Sequence, residues 1–261
     1  MVECAGALAD RHAIVTGASR GIGAAIAAAM AAEGACVSLL GRDAARLQAV
    51  SDAAGGPERA IPIPSDVAVS ASVREAFAAA RLKFGPVHIL INNAGLAPAA
   101  KFTDTDEALW HRVLGVNLTG TFLCTREAIA DMLQGGFGRI VNIASTAGLR
   151  GGTYISAYTA SKHAVIGLTR ALALEYATRN VTVNAVCPGY TDTDIVKHAV
   201  GNIRAKTGRS EREALDALLA TNPQRRLIEP REVAHAVLWL CRPGTEGVTG
   251  QSIVIAGGDV T

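Results

Sequence analysis

Residues 12–33 constrain the fold more than any other stretch of this chain. His12-Ala-Ile-Val-Thr16 is apolar and too short for a helix, and it runs directly into Gly17-Ala-Ser-Arg-Gly21-Ile-Gly23. Ala24 to Glu33 is then almost entirely Ala, Ile and Met, strong helix formers, and Gly34 stops the run. The order is strand, Gly-rich turn, helix. A turn without side chains, followed by a helix N-terminus, lets an anion approach the backbone closely. The spacing is GxxxGxG rather than GxGxxG, and a tight strand-to-helix turn is the plain alternative.

The same alternation continues. Cys36 to Leu40 reads as a second strand, and Asp43 is placed to cap a helix reaching Ala54. Ala60 to Ser65 reads as a weak third strand whose two prolines suit an edge. A helix over about 71–84 precedes a buried strand, Val87 to Asn92. Asp106 to Gln134 reads as helix, with breaks near Gly115 and Gly120. Arg139 to Ile143 is a fifth strand, Ala157 to Arg179 a helix, Val181 to Cys187 a sixth strand, and Ser252 to Ile255 a last. The fold class is therefore α/β, a doubly wound parallel sheet of about seven strands covered by helices on both faces. Nothing repeats and no linker interrupts, so 1–261 reads as a single domain. The segment at about 190–230 is polar, charged and partly helical, and sits where a substrate lid could lie.

Composition narrows the function. The 261 residues are 49% hydrophobic and 18% charged, too apolar for disorder, and a net charge of +2 leaves no footprint for nucleic acid. No run has the length and flanks of a membrane span, and the opening Met-Val-Glu-Cys-Ala-Gly lacks a basic signal region, so a cytoplasmic protein is expected. Five scattered cysteines without a CxxC suit a reducing compartment, and Cys187 is expected to be a small buried hydrophobe. Six histidines form neither HxxxH nor HExxH, and no metal is expected.

Tyr158 and Lys162 are four apart in the helical run after the fifth strand, which puts them one turn above each other on one face. A positive charge beside a phenol favours its ionised form, and bringing a phenol from about pH 10 toward neutrality takes roughly 4 kcal/mol. From spacing alone, a solvated Tyr and Lys would look the same.

Thr16-Gly-Ala-Ser-Arg-Gly-Ile-Gly23, Asn92-Asn-Ala-Gly95, Asn117, Ser145, Tyr158, Lys162 and Pro188-Gly189, taken together and in order, resemble the short-chain dehydrogenase/reductase family. The spacings agree as well: Ser145 precedes Tyr158 by thirteen residues, and Asn117 precedes Ser145 by twenty-eight. The resemblance spans essentially the whole chain and implies a Rossmann-like fold. It implies a catalytic set of Asn117, Ser145, Tyr158 and Lys162. Tyr158 would give a proton to a carbonyl or take one from an alcohol, and Ser145 would hold the substrate oxygen. Lys162 would lower the Tyr158 pKa and hold the nicotinamide ribose, and Asn117 would support a water linked to Lys162. Cofactor contacts would come from Gly17, Ser19, Arg20, Gly21, Ile22, Gly23, Arg42, Asp66, Val67, Asn93, Ala94, Gly95, Pro188, Gly189, Thr191 and Thr193, with Tyr158 and Lys162. Asn92 would line the same cleft. As alternatives, Asn92 could cap a strand, Pro188-Gly189 could be an ordinary turn, and Asn117 could mark a helix kink.

The family's acid for the ribose 2′-OH of NAD would fall at position 41, where this chain has Gly41 followed by Arg42. With Arg20 this points to NADP(H), NAD(H) being the alternative, and Asp43 is more naturally a helix cap. Ile143-Ala-Ser-Thr and Val183-Asn-Ala-Val-Cys-Pro-Gly189 are most similar to the 3-oxoacyl thioester and polyketide ketoreductase branch. That implies a carbonyl or alcohol substrate, with an acyl-CoA thioester among the candidates. Arg204, Lys206, Arg209, Arg212, Arg225 and Arg226 could meet its phosphates or simply form a solvated face. Gln134-Gly-Gly-Phe137 lacks the basic residue seen in carrier-protein reductases, and Arg179 only partly replaces it. An NAD-dependent 3-hydroxyacyl or secondary-alcohol dehydrogenase is the alternative activity; an NADP(H)-binding sensor without turnover is more remote. The helix carrying Tyr158 is apolar nearly all round, so a homotetramer is expected.

Overall fold

The computed structural model describes residues 6–260. In chain order the elements are β1 (His12–Thr16), α1 (Gly21–Ala32), β2 (Cys36–Gly41), α2 (Ala44–Ala53), β3 (Ala60–Pro64), α3 (Ser70–Phe84), β4 (Ile89–Asn92), α4 (Glu107–Leu114), α5 (Gly120–Gly135), β5 (Gly138–Ile143), α6 (Ser156–Tyr176), β6 (Val181–Pro188), α7 (Asp194–Thr207), α8 (Glu211–Leu218), α9 (Pro230–Cys241) and β7 (Ser252–Ile255). All seven strands are parallel, in the order β3-β2-β1-β4-β5-β6-β7.

Burial on both faces explains why the strands read as unbroken apolar runs. Ala13, Val15, Ile89 and Ile91 join one core layer with α1, α2 and α9, while Ile14 and Leu90 join the other with α3, α5 and α6. Alternate side chains of one strand thus serve opposite layers. Fully burying side chains of this size contributes roughly 1.5–3 kcal/mol each.

Strand order reverses between β1 and β4, the point where ligands bind such sheets, outside the carboxyl ends of the strands. Two readings from sequence hold in detail. β3 is an edge strand, which its prolines tolerate, and Asp43 caps α2, its Oδ1 accepting from Arg46 N at 3.1 Å. The long run from 106 to 134 splits into α4 and α5 around a π-helical turn at Gly115–Thr119, between the two glycines named for the break. The run read as helix to Arg179 ends as α helix at Tyr176, with Ala177–Arg179 forming a 3₁₀ turn. One helix adds to the sequence reading: α9 carries Pro at its first position and a Glu229/Glu232 capping box, and buries Val233, Ala234, Val237, Leu238 and Cys241.

Within 190–230, α7 and α8 pack on each other through Val196, Val200 and Ala214, a small cluster separate from the main layers. This segment carries its own core.

Candidate active site

The cleft lies along the carboxyl ends of β1, β4, β5 and β6, with a volume of about 960 Å³. Its floor at one end is Ser145, Tyr158 and Lys162. The first two turns of α6 supply Tyr158 and Lys162, and the segment just after β5 supplies Ser145. Lys162 is 5% exposed; its Nζ donates to the Ile143 carbonyl at 2.7 Å and lies 5.7 Å from the Tyr158 ring centre. Burial lowers the Lys162 pKa to about 8.

The phenol departs from expectation. Burial holds the Tyr158 pKa above its usual value, and the hydrogen bond with the Ser145 side chain only opposes this. The lysine was expected to bring the phenol toward neutrality. Instead its ammonium is engaged by a sheet carbonyl, and desolvation outweighs other influences on the ring hydroxyl. Cys187 behaves as expected: it is fully buried and its thiol is pushed up to about 11.

Asn117 sits in the π-helical turn and clamps the loop after β4. Its Oδ1 accepts from Leu96 N at 2.8 Å, while its Nδ2 donates to Leu96 O and to Ser161 Oγ, each at 2.9 Å. A Cβ at Gly95 would stand 3.5 Å from Asn117 Oδ1 and 3.7 Å from Lys162 Nζ, so the bare glycine borders both.

The Gly-rich turn is stitched to the end of β4. Thr16 Oγ1 accepts from Asn93 N and Ala94 N at 2.9 and 3.0 Å, and Asn93 Nδ2 donates back to Thr16 O and Gly17 O. Gly17 has φ +63°, and a Cβ there would come within 2.8 Å of Ala94 Cα. Gly23 lies beneath the turn rather than in the cleft wall; a Cβ on it would meet Gly17 O at 2.4 Å. Gly17, Ser19, Arg20, Gly21 and Ile22 line the cleft, and no side chain caps the N-terminus of α1. Its first amides suit a diphosphate, so the residues present fit a dinucleotide.

Asn93, Ala94, Gly95, Asp66, Val67, Pro188, Gly189, Thr191 and Thr193 all border the cleft. Asp66 Oδ1 accepts from Ala68 N at 2.9 Å, which shapes the turn after β3. Asn92 does not line the cleft. It is buried in the sheet, its Nδ2 donating to Thr125 Oγ1 and Asn142 Oδ1, because a strand-end side chain alternates away from its neighbour Asn93.

At the far end of the cleft stand Arg20, Arg42, Asp43 and Arg46. Arg46, in the first turn of α2, was missed from sequence. Arg20 Nη1 is bound to Asp194 Oδ2 at 2.7 Å. Of the cations after β6, Arg204 pairs with Glu211 and Arg226 with Glu232, while Lys206 reaches the cleft. Arg150 was also missed: it borders the cleft and grips Asp259 at 2.7 Å.

A doubly wound sheet, a dinucleotide cleft at its switch point and a Ser–Tyr–Lys floor define an α/β oxidoreductase acting on CH–OH and C=O groups. The chain belongs to the short-chain dehydrogenase family: the model described as "short chain dehydrogenase" matches residues 11–203. It is 41% identical to "granaticin polyketide synthase putative ketoacyl reductase 1" of Streptomyces violaceoruber, covering 97% of this chain and 94% of that protein. It is 35% identical to D-beta-hydroxybutyrate dehydrogenase of Rhizobium meliloti (strain 1021), covering 95% and 98%. Among solved structures, a single-residue variant of actinorhodin polyketide ketoreductase with NADPH superposes with a TM-score of 0.91 at 38% identity, over 95% of this chain and 96% of that one.

Proposed function

We propose that this protein is an NADP(H)-dependent reductase of a 3-oxoacyl thioester or a related ketone. The observation that carries the reading is the arrangement on the cleft floor, where the half-buried Tyr158 hydroxyl, its pKa held above the usual value, hydrogen-bonds with the Ser145 side chain beside the buried Lys162. Reduction of a carbonyl needs a proton donor at the oxygen, and a protonated Tyr158 is that donor. Ser145 holds the same oxygen through its hydroxyl. Lys162 and the loop clamped by Asn117 hold the ribose side of the cleft, and the α1 amides hold the diphosphate. NADPH, when bound, supplies the hydride. Arg20 and Arg42 are the partners of its 2′-phosphate, in keeping with the NADPH in the actinorhodin enzyme's structure.

The ketoacyl reductase relative favours a 3-oxoacyl substrate. The hydroxybutyrate dehydrogenase relative favours the second reading, an NAD-dependent 3-hydroxyacyl or secondary-alcohol dehydrogenase. Lys206 in the cleft wall is the cation best placed for the phosphates of an acyl-CoA.

The chain is read as one catalytic domain with residues 190–230 as its lid, and as a cytoplasmic homotetramer. The outer faces of α5 and α6 support the assembly: Phe122 and Leu174 are 45% and 82% exposed, and Gly167 and Ala171 beside Leu174 leave room for a partner helix. A spectrophotometric screen of NADPH and NADH against acetoacetyl-CoA, longer 3-oxoacyl thioesters and simple ketones tests the function. NADPH oxidation with the thioesters is the expected result; turnover confined to NADH would reject the reading, and NADPH turnover confined to simple ketones would remove the thioester from it.

A further inference from the structure

We propose that Asp194, the first residue of α7, occupies the place of the cofactor's 2′-phosphate, and that Arg46 is a third cation of that site. The cofactor thereby releases the lid as it binds. The inference rests on the NADP(H) reading above and deepens it.

One carboxylate oxygen is shared. Asp194 Oδ2 takes Arg20 Nη1 at 2.7 Å and has Arg46 Nη1 at 3.6 Å. Arg46 is steadied by Asp43, whose second oxygen lies 3.3 Å from its Nε while the first caps α2. Two guanidiniums from different elements therefore converge on one anion, and that anion belongs to the lid. A second contact fixes the same approach: a Cβ on Gly21 would stand 3.0 Å from Thr193 Cγ2, so the lid's first residues touch the Gly-rich turn where it is bare. Arg20, Arg42, Arg46 and Asp194 all border the one cleft.

The exchange is favourable on charge. A phosphate monoester brings more charge and more acceptor oxygens than a carboxylate, and arginine forks match it. Asp194 is a weak competitor, since the Arg20 and Asp194 side chains are 57% and 39% exposed and such pairs hold loosely. A dinucleotide without the 2′-phosphate leaves Asp194 in place and the lid tethered. Asp194 thus acts in specificity as well as in lid position.

Adenosine 2′,5′-bisphosphate and adenosine 5′-monophosphate separate the phosphate from the hydride chemistry. Calorimetric titration of the wild type, Asp194→Asn and Arg46→Gln with both nucleotides gives the test, with hydrogen exchange over 194–207 alongside. Asp194→Asn is expected to bind the bisphosphate about two- to fivefold more tightly, the range that removal of one exposed competing pair allows, with the monophosphate unchanged. Arg46→Gln is expected to weaken the bisphosphate alone. Exchange in α7 should rise when the wild type takes the bisphosphate, and should already be raised in free Asp194→Asn. An Asp194→Asn protein that gains nothing for the bisphosphate, or gains equally for both nucleotides, overturns the proposal. So does an Arg46→Gln protein with unchanged discrimination. A wild type that binds both nucleotides equally rejects the NADP(H) reading itself; one that prefers the bisphosphate while the variants change nothing rejects only this inference.

Discussion

Lys162 Nζ donates to the carbonyl of Ile143 at 2.7 Å, joining the second turn of α6 to the last residue of β5. The bond sets how the site works. It holds the ammonium 5.7 Å from the Tyr158 ring centre, while burial dominates the phenol's proton affinity. It also makes Lys162 a structural strut, because a buried carbonyl left without a donor costs about 1–3 kcal/mol.

Tyr158→Phe and Lys162→Met should therefore fail in different ways. The phenylalanine variant keeps the ring and loses the proton, so kcat for reduction is expected to fall at least about a hundredfold, the lower range of general-acid catalysis. Its NADPH affinity, read by fluorescence titration, should be unchanged. Lys162→Met should lower kcat, NADPH affinity and melting temperature together. Near-normal turnover by Tyr158→Phe would remove Tyr158 from the proton-donor role.

The pH dependence should separate the two directions. In the proposed mechanism reduction requires Tyr158 protonated, and burial holds its pKa above the ordinary tyrosine value. Lys162, lowered to about 8, also keeps its proton below that pH. Initial rates of reduction are expected to be highest below pH 8. Alcohol oxidation needs the phenolate and should climb steadily into the alkaline range; a flat oxidative profile from pH 7 to 10 would contradict this assignment.

Gly23→Ala should damage the cofactor turn although Gly23 does not line the cleft. Its Cβ would meet Gly17 O at 2.4 Å and Asn93 Nδ2 at 2.5 Å, so the turn or its clamp must move. A cost of roughly 1–3 kcal/mol is expected in denaturant titration, with weaker NADPH binding. Gly247→Ala is the control, since a Cβ there meets nothing within 4 Å and Gly247 does not border the cleft.

His12 should make the fold acid-sensitive. It is 1% exposed, its ring nitrogens contact Gly85 O and Ser38 Oγ, and burial lowers its pKa to about 4 from 6.5. The unfolded chain then binds this proton between pH 6.5 and 4 while the folded chain does not. Stability from this residue is full above pH 6.5 and is lost as pH falls toward 4, by about 3 kcal/mol in all. The gap in unfolding free energy between the wild type and His12→Gln should shrink on acidification. A gap independent of pH would show that His12 does not titrate this way.

Association should depend on the outer face of α6. Leu174→Glu places a charge where an 82% exposed leucine offers apolar surface, and light scattering is expected to give an oligomer mass for the wild type and a lower mass for the variant. A monomeric wild type at micromolar concentration would refute the assembly.

Much of this protein was legible along the chain because the relevant physics is local. Short unbroken apolar runs marked the strands, the Gly-rich turn and Ala-rich run made the first βα unit, Asp43 capped α2 over three residues, and a spacing of four put Tyr158 and Lys162 on one face. Each depends on residues within a turn or two of one another. The tertiary structure decided what depends on distant partners. Lys162 meets Ile143 across 19 residues, Asn92 meets Asn142 across 50, and Arg20 meets Asp194 across 174. No local period encodes such meetings. They exist because the switch point of the sheet gathers the strand ends and the first turn of α7 around one cleft, where burial raises the phenol's proton affinity and the Asp194 carboxylate pairs with Arg20 and Arg46.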